Sequence, residues 1–489
     1  MYSTSFPGCE MKFALGLLLI GVAWWYSRIE RSVSLEESTL VGWKKQLGAP
    51  LVKFKRVALG LNANLDLIVS GTEVLQRLVG ARKGDDKAVE PADHSVIESI
   101  DSLQQMFAYR MARCSAAERA VKTRRLFAEI VEAAEKVDEK QYFVGGNAAL
   151  VGLTMVTEFS GTQVLLGGPV GSQLKSLLPA NVTVPEACFQ KNDEIHLIME
   201  YKTGDRWGPA TAPCANRFIM SHDVGNGRLS ALETFFSALN DFQPNLIVLS
   251  GLHLLEEQEE SFWKERIETL VKRLKEISPY IPIHLELAST ANKTFLAAIA
   301  ESVFPWVDSI GLNEQELLAL CQASEGPHRI HDDRNTQPEI GVIADQVHWL
   351  LKRFGVRSST RLTRVHFHSL TFHMLGIVEG TWTNSLSAVG GAARMAGRRA
   401  CNVLAIDPGK VELKIPRAFL RSVEDAQLRR EPIVYDPREP VSQWSRGNLK
   451  FFFSPVLVCK KPLKTVGLGD AISATGLQYS EMVMGTSRM

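Results

Sequence analysis

The chain has 489 residues, of which 45% are hydrophobic, and its 55 basic and 54 acidic residues leave a net charge of +1. A chain of this size and composition can bury the core of one large domain or of two domains, which argues against a fibre or a disordered scaffold. Because the charges nearly cancel, no overall field favours nucleic acid or an anionic membrane, so an anionic ligand needs a local site.

The chain begins with an apolar segment. Residues Phe13 to Tyr26 carry no charge, Lys12 precedes them, and Arg28 and Arg31 follow. Fourteen helical residues would rise only about 21 Å, which is short for the roughly 30 Å of a bilayer core. The segment fits a secretory signal peptide, and the basic residues after it leave an uncleaved signal anchor as the alternative. Either one predicts the endoplasmic reticulum lumen or the secretory pathway.

We assign residues 1–26 to this signal peptide or anchor, which would be the chain's only contact with a membrane. Residues 27–50 are mixed and polar, which predicts a tether or a loosely packed helix before the folded body at 51–489. The sequons at Asn181 and Asn292 agree with a secretory route, although such tripeptides also occur by chance. The C-terminal Thr-Ser-Arg-Met is not a retention signal of the KDEL type.

The cysteines are scattered and have no metal-ligand spacing. They are Cys9, Cys114, Cys188, Cys214, Cys321, Cys401 and Cys459. In an oxidising lumen we expect one or two disulfides, with Cys188–Cys214 as the first candidate pair. Buried free thiols are the alternative.

The first half of the folded body combines short strands with helical segments. Residues 57–69 predict a strand, a polar elbow and a second strand. Residues 81–94 form a charged loop, and residues 96–139 have helical periodicity. Residues 141–171 are rich in glycine and β-branched residues, which predicts short strands and tight turns.

From about residue 230 the sequence alternates between helices and buried strands. We predict strands at 246–251, 281–288, 306–312 and 364–370, and helices at 257–277 and 291–301. This alternation predicts a parallel sheet with helices on both faces and a ligand site at the carboxyl ends of its strands. We expect residues 322–340 and 420–447 to be surface loops.

The most informative motif is Val-Gly-Leu-Gly-Asp at 466–470. Gly467 and Gly469 permit a tight turn with exposed backbone N–H groups, and the small residues that follow suit a closely packed helix. The positive end of that helix can hold a phosphoryl group, and Asp470 can accept a proton from an attacking hydroxyl. Alone, GxGD is a weak signal, because an aspartate N-cap after a glycine turn is common.

The GxGD segment resembles that of the ribokinase-like sugar kinases, and the whole set of motifs most closely resembles the eukaryotic ADP-dependent glucokinases. The resemblance extends from about residue 50 to the end of the chain. It implies that Asp470 is the catalytic base and that Gly467 and Gly469 hold the transferring phosphoryl group. No Walker GxxxxGK[ST] motif and no protein-kinase signature is present in the sequence.

The resemblance also implies Mg²⁺, with Glu286, Glu316 and Asp470 as its associated carboxylates. Glu286 interrupts an apolar strand, where a charge is unfavourable unless it is paired or near a metal. Asn313 and Glu316 match the Asn-x-x-Glu motif of the ADP-dependent enzymes. A buried salt bridge is the alternative for Glu286, and a helix N-cap by Asn313 with Glu316 at the third position explains the same letters.

Two polar segments fit an uncharged ligand with many hydroxyls. Residues 62–66 alternate polar and apolar side chains, which would place the polar ones on one face of a strand, and residues 145–147 form a Gly-Gly-Asn turn. The resemblance implies that the contacts to glucose come from Asn62, Asn64, Asp66, Gly145, Gly146 and Asn147. Simple turn chemistry is the alternative for both segments.

Four basic residues are candidates for the nucleotide end of the site. Arg217 and Arg228 could neutralise phosphate charge. His366 and His368 share one face of a predicted strand, and we interpret them as a hydrogen-bonded pair near the nucleotide or sugar, since no third metal ligand is evident. A purely structural role is the alternative for the histidines.

The resemblance implies a ribokinase-like α/β fold, with a mostly parallel sheet flanked by helices at 230–489 and a smaller β-rich lid from 57–72 and 141–222. The implied reaction converts ADP and D-glucose to AMP and glucose 6-phosphate, in a monomer that binds no nucleic acid. One alternative is an ADP-dependent phosphofructokinase, which would need extra basic residues. Another is a catalytically silent nucleotide- or sugar-sensing membrane protein, which would usually have lost Asp470.

Overall fold

The computed structural model describes residues 33–47, 52–80, 89–330, 338–355, 360–463 and 466–483. The predicted signal segment at 1–26, the first half of the charged loop and Cys9 lie outside these residues. Within the described ranges, no helix is both long enough and apolar enough to cross a membrane.

The strands are short and lie in two main sheets and several two-stranded ribbons. In chain order they are β1 (Arg56–Gly60), β2 (Asn64–Ser70), β3 (Val96–Ile97), β4 (Ala117–Val121), β5 (Gln141–Gly145), β6 (Gln163–Gly167), β7 (Val182–Thr183), β8 (Ile195–Tyr201), β9 (Arg206–Trp207), β10 (Ala210–Thr211), β11 (Asn216–Ser221), β12 (Leu246–Leu249), β13 (Ile283–Glu286), β14 (Ser309–Leu312), β15 (Arg364–His368), β16 (Phe372–Val378), β17 (Trp382–Thr383), β18 (Val411–Leu413), β19 (Ala418–Phe419), β20 (Ile433–Val434), β21 (Ser442–Arg446), β22 (Leu449–Pro455), β23 (Leu457–Cys459) and β24 (Glu481–Met482).

The helices cover the large sheet on both faces and the smaller sheet on one. They are α1 (Leu35–Gln46), α2 (Gly71–Gly80), α3 (Ile100–Ala112), α4 (Arg124–Glu135), α5 (Asn147–Glu158), α6 (Ser172–Leu177), α7 (Leu232–Phe242), α8 (Glu260–Lys275), α9 (Lys293–Ser302), α10 (Glu314–Ala323), α11 (Ile340–Leu350), α12 (Ser385–Ala400), α13 (Ala426–Arg430) and α14 (Leu468–Tyr479).

The large sheet has ten strands in the order β21-β22-β16-β15-β14-β13-β12-β1-β6-β7. All pairs from β15 to β7 are parallel, and β16, β22 and β21 add an antiparallel edge. Alternate side chains enter different cores: Ala58 packs with α7–α11, whereas Val57 and Leu59 pack with α5 and α14. The predicted parallel sheet flanked by helices is confirmed, because nearly continuous apolar strands such as Leu246–Leu249 need cover on both faces.

The lid domain is built on a six-stranded sheet in the order β3-β4-β11-β8-β2-β5. Its inner face packs on α2, α3 and α4 around Phe107 and Phe218. The lid domain therefore includes residues 96–137, which the sequence-based boundaries left out. Strands β1 and β6 fall inside those boundaries but pair in the large sheet.

Three segments differ in part from their predictions. Residues 141–171 contain the predicted strands β5 and β6, but also the helix α5, whose apolar and small residues fill the space between β1 and α14. Residues 420–447, predicted to be a surface loop, include the edge strand β21. Residues 27–50 were predicted to be a tether or a loosely packed helix; the helix α1 forms there and is closely packed, since it buries Trp43 completely, and the Trp43 Nε1 donates to Ser454 Oγ. These differences share a cause, since tertiary burial overrides weak local propensity.

The predicted Cys188–Cys214 disulfide is wrong. Cys214 pairs with Cys114, and Cys401 pairs with Cys459. Strands β4 and β11 are parallel neighbours, with Ala117 opposite Phe218, and this register brings the cysteines that precede them together. Cys188 and Cys321 are buried free thiols.

Candidate functional site

The candidate site is a cleft of about 280 Å³ between the lid domain and the carboxyl ends of the large-sheet strands. It is the place where a parallel sheet is expected to bind a ligand. Most of the predicted site residues line it: Asn62, Asn64, Asp66, Gly146, Asn147, Arg217, Glu286, Glu316, His368, Gly467, Gly469 and Asp470.

The glycine turn starts α14 at the floor of the cleft. Gly467 has φ +65°, a conformation that other residues rarely adopt, and α14 begins at the next residue. Backbone N–H groups in the first turn of a helix have no acceptor within the helix, so they are available to an anion in the cleft. Asp470 lies in this turn and is buried.

Asp470 is held by a side chain from the opposite wall. The Nδ2 of Asn147, at the start of α5, donates to Asp470 Oδ1 at 3.2 Å. Burial, and then the nearby charge of Glu286, raise the pKa of Asp470 to about 7. A carboxylate with this pKa can accept a proton at neutral pH and release it again.

Glu286 ends β13 and lies between two histidines. His284 Nε2 lies 2.9 Å from Glu286 Oε2, and His368 Nε2 lies 3.3 Å from Oε1. Burial opposes ionisation, but these two hydrogen bonds outweigh it and lower the pKa of Glu286 to about 2. The buried charge of Glu286 is therefore paired with histidines, as the salt-bridge alternative predicted. The Glu286 carboxylate also lines the cleft.

The Asn-x-x-Glu motif forms a helix cap and a cleft wall at once. Asn313 Oδ1 accepts from the Glu316 backbone N–H at 3.1 Å, and Glu316 Oε2 accepts from the Asn313 N–H at 2.8 Å, which is a complete capping box. The N-cap interpretation is thus correct for the local geometry. Glu316 is nevertheless buried against the cleft, and burial raises its pKa to about 7.

The amide and carboxylate groups of the first polar segment face the cleft from the lid domain. Asn64 and Asp66 share one face of β2, and Asn64 Nδ2 donates to Asp66 Oδ1 at 2.7 Å. Asn62 lies in the elbow before β2 rather than on the strand, and its Oδ1 accepts from the Ala148 N–H at 3.1 Å. Burial raises the pKa of Asp66 to about 6.

The Gly-Gly-Asn turn joins β5 to α5 beside these groups. A Cβ on Gly145 would overlap the Asp66 and Asn64 side chains, so Gly145 supports the cleft from behind without lining it. Gly146 has φ +85° and leads into α5. The close approach of backbone to side chain is what the two glycines allow.

Two of the four candidate nucleotide residues lie away from the cleft. The Arg228 guanidinium packs over the Phe262 ring at 4.8 Å from its centroid. His366 is buried behind the wall, where burial and then the neighbouring Arg364 hold its pKa well below the usual value, so it is neutral. Arg217 and His368 do line the cleft.

The cleft also contains residues that the sequence analysis missed, namely Glu118, His196 and His253. His196 Nε2 lies 2.9 Å from Asp223 Oδ2. Burial opposes protonation of His196, but Asp223 outweighs it and raises the pKa to about 10, so this imidazole is cationic. The sequence did contain a signal for His196, because this polar residue interrupts the apolar strand Ile195–Tyr201, as Glu286 interrupts its own strand.

Comparisons with known proteins agree with this architecture. The family model "ADP-specific Phosphofructokinase/Glucokinase conserved region" matches residues 55–479. The chain is 44% identical to ADP-dependent glucokinase of Bos taurus over 92% of this chain and 89% of the relative. It is 36% identical to the probable ADP-dependent glucokinase of Caenorhabditis elegans over 96% of this chain and 94% of the relative.

Among solved structures, a phosphofructokinase from Pyrococcus horikoshii OT3 with AMP matches with a TM-score of 0.65, at 19% identity, over 88% of this chain and 98% of that chain. A likeness at this identity concerns the fold alone. It confirms the predicted ribokinase-like fold class.

Proposed function

Because the chain belongs to the ADP-specific phosphofructokinase/glucokinase family, we propose that it transfers the β-phosphoryl group of ADP to the 6-hydroxyl of D-glucose. The products are AMP and glucose 6-phosphate. The relative at 44% identity, which is named an ADP-dependent glucokinase, supports this choice within the family.

The observation that carries the proposal is the placement of Asp470. Its carboxyl lies at the start of α14, beside the free amides of the glycine turn, and it accepts a hydrogen bond from Asn147 on the sugar side of the cleft. One carboxylate is thus within reach of both a sugar hydroxyl and a phosphoryl group held by the turn.

In the proposed step, Asp470 takes the proton of the 6-hydroxyl as that oxygen forms a bond to the β-phosphorus. The bond between the β-phosphorus and the bridging oxygen breaks, and AMP leaves with the bridging oxygen. The amides of Gly467 to Asp470 stabilise the negative charge on the transferring group. Closure of the lid domain over the sugar would exclude water as a competing acceptor.

Glucose is favoured over a sugar phosphate by the charges at the sugar end. Asp66 and Glu118 line that part of the cleft together with the amides of Asn62 and Asn64. The cationic His196 is already paired with Asp223. Arg217 also faces the cleft, and its charge favours the ionised form of Asp66. Carboxylates and amides suit neutral hydroxyls, and because two carboxylates stand against this one arginine, a dianionic phosphate would be repelled.

We propose Mg²⁺ as the cofactor, held by Glu286 and Glu316 with Asp470 nearby. Carboxylate oxygens are the ligands that Mg²⁺ prefers, and Glu286 is ionised at any working pH because its pKa is about 2. Glu286, Glu316 and Asp470 all line the cleft, and we propose that some of their contacts to the ion are made through water. When bound, the ion would offset the charge of the phosphates.

A coupled assay of residues 27–489 tests the proposal, with glucose and fructose 6-phosphate as acceptors and ADP and ATP as donors. We expect turnover with glucose and ADP that exceeds the other three combinations. Turnover with fructose 6-phosphate alone would assign the phosphofructokinase activity instead, and inactivity with every pair would support the sensor alternative.

We also propose that the protein acts as a monomer in the lumen of the endoplasmic reticulum. The two cysteine pairs, Cys114–Cys214 and Cys401–Cys459, support an oxidising compartment.

A further inference from the structure

A second cavity, of about 220 Å³, lies near the C-terminal end of α14, at the other end of this helix from Asp470. Three helices form its walls. Glu158 comes from α5, Arg394 and Arg398 come from α12, and Tyr479 is the last residue of α14.

The charges in this cavity do not cancel. Arg398 forms an ion pair with Glu158. In the part of the chain that the structure describes, no carboxylate lies within ion-pair distance of Arg394. Leu47 lines the cavity, and residues 48–51, which follow it outside the described ranges, contain no charged residue in the sequence. The cavity therefore has a net positive charge.

The polar groups in this cavity that have no partner among the described residues, namely the Arg394 guanidinium and the Tyr479 hydroxyl, can donate hydrogen bonds. Arg394 and Arg398 line the cavity together with Tyr479, and Arg394 is exposed. Burial raises the pKa of the Tyr479 hydroxyl, whereas the two arginine charges lower it. Within the described residues, the Tyr479 hydroxyl has no hydrogen-bond partner. The Phe159 ring packs edge-on against Tyr479 with centroids 5.6 Å apart and closes the cavity with an apolar surface.

We propose that this cavity is a binding site for a small anion, a phosphate or a carboxylate, with Arg394 and Tyr479 as its donors. An unpaired guanidinium beside a free hydroxyl is complementary to an anion with several acceptor oxygens.

Thermal unfolding of the full chain tests this proposal, with inorganic phosphate and acetate titrated separately and chloride keeping the ionic strength constant. We expect a saturable rise in Tm with at least one of the two anions. Arg394→Gln should abolish the rise. Tyr479→Phe, which removes one hydrogen bond to an anion, should weaken the apparent affinity about tenfold. Arg429→Gln, a change of an exposed arginine on α13, is the matched control and should keep the full rise.

Phosphate also fits the glycine turn at Gly467–Asp470. The Arg394→Gln variant therefore distinguishes binding in the second cavity from binding at this turn. A rise in Tm that survives Arg394→Gln would come from the cleft and would overturn the proposal, as would the absence of a saturable rise with both anions. A rise with one anion only, lost in Arg394→Gln, upholds the site and assigns its ligand class.

Discussion

Asp470 and Glu286 are carboxyls in the same cleft whose surroundings shift their pKa values in opposite directions. Glu286 receives hydrogen bonds from two histidines, which keep it ionised. Asp470 has a single amide donor, and burial beside the charge of Glu286 raises its pKa to about 7. Such a separation suits one carboxylate to a fixed negative charge and the other to proton transfer.

The first prediction concerns the pH dependence of catalysis. The rate should rise with pH through about 7 as Asp470 loses its proton. Asp470→Asn should lower turnover by about 10²–10⁴-fold and remove this step from the pH–rate profile. Asp407→Asn, an exposed aspartate outside the cleft, is the control and should leave the profile unchanged. Turnover near that of the wild type in folded Asp470→Asn would contradict the role of general base.

The same substitution should stabilise the protein at high pH. The folded-state pKa of Asp470 lies above its reference value of 3.8, so the folded state binds more protons than the unfolded state between these values. Stability is therefore lost as pH rises through about 7. Asp470→Asn should be more stable than the wild type at pH 8, by a free energy on the order of 4 kcal/mol, and the difference should shrink towards pH 5. Equal melting curves at pH 8 would show that ionisation of Asp470 has no such effect.

The metal assignment predicts a change in magnesium dependence. Glu286→Gln and Glu316→Gln should each raise the Mg²⁺ concentration for half-maximal rate, because each removes a charged ligand. Gln at position 316 can still accept from the Asn313 N–H, so the capping box is kept. Glu314→Gln, on the same helix but outside the cleft, is the control. If both cleft variants retain the wild-type dependence, Glu316 serves only as a cap.

At the scale of secondary structure, strand alternation gives the lid domain a polar surface that faces the cleft. On β2, Leu65 and Leu67 are buried, while Asn64 and Asp66 face the cleft. On β8 and β11, His196 and Arg217 face the cleft in the same way. Because successive side chains point to opposite faces, one sheet supplies both a core and a polar surface.

A substitution in the turn between β5 and α5 is predicted to raise the KM for glucose more than the KM for ADP. In Gly145→Ala the new Cβ overlaps the Asp66 and Asn64 side chains and must displace them. We expect the KM for glucose to rise about tenfold or more, with a smaller change in the KM for ADP, in steady-state kinetics. Gly80→Ala has no atom within 4 Å of the new Cβ and is the matched control. Equal increases in both KM values would point to a general loss of structure.

At the scale of the whole molecule, the surface around the sequons bears on the proposed lumenal location. Asn181 is exposed just before β7, whereas Asn292 caps α9 through its Oδ1, which accepts from the Phe295 N–H at 3.1 Å. The Asn181 Nδ2, the atom to which a glycan would be attached, donates to Thr162 O at 3.4 Å. Both asparagines are exposed, so both serve as reporters of glycan addition.

The last prediction uses both sequons in full-length protein made with microsomes. We expect a glycosidase-sensitive mass shift that the double substitution Asn181→Gln and Asn292→Gln removes and that Asn240→Gln, an exposed asparagine outside any sequon, leaves intact. We also expect the catalytic body to resist protease added outside intact microsomes. Digestion of the body under those conditions would overturn the lumenal location, even if a glycan is absent.

The sequence by itself determined the features that depend on local pattern. The strand ending at Glu286 and the glycine turn at Asp470 follow from apolar period and from glycine's freedom at positive φ, both of which a short segment encodes. The alternation of helix and strand was enough to give the parallel sheet and the edge at which its ligand binds.

Only the tertiary structure decided which distant residues meet. His368 on β15 reaches Glu286 on β13 because β14 lies between these strands and sets their register, and Cys214 meets Cys114 because β4 and β11 are neighbours. The helix α5 exists where the local composition favoured turns, since it fills the space between β1 and α14. Strand order and burial are properties of the packed chain, so no window of sequence contains them.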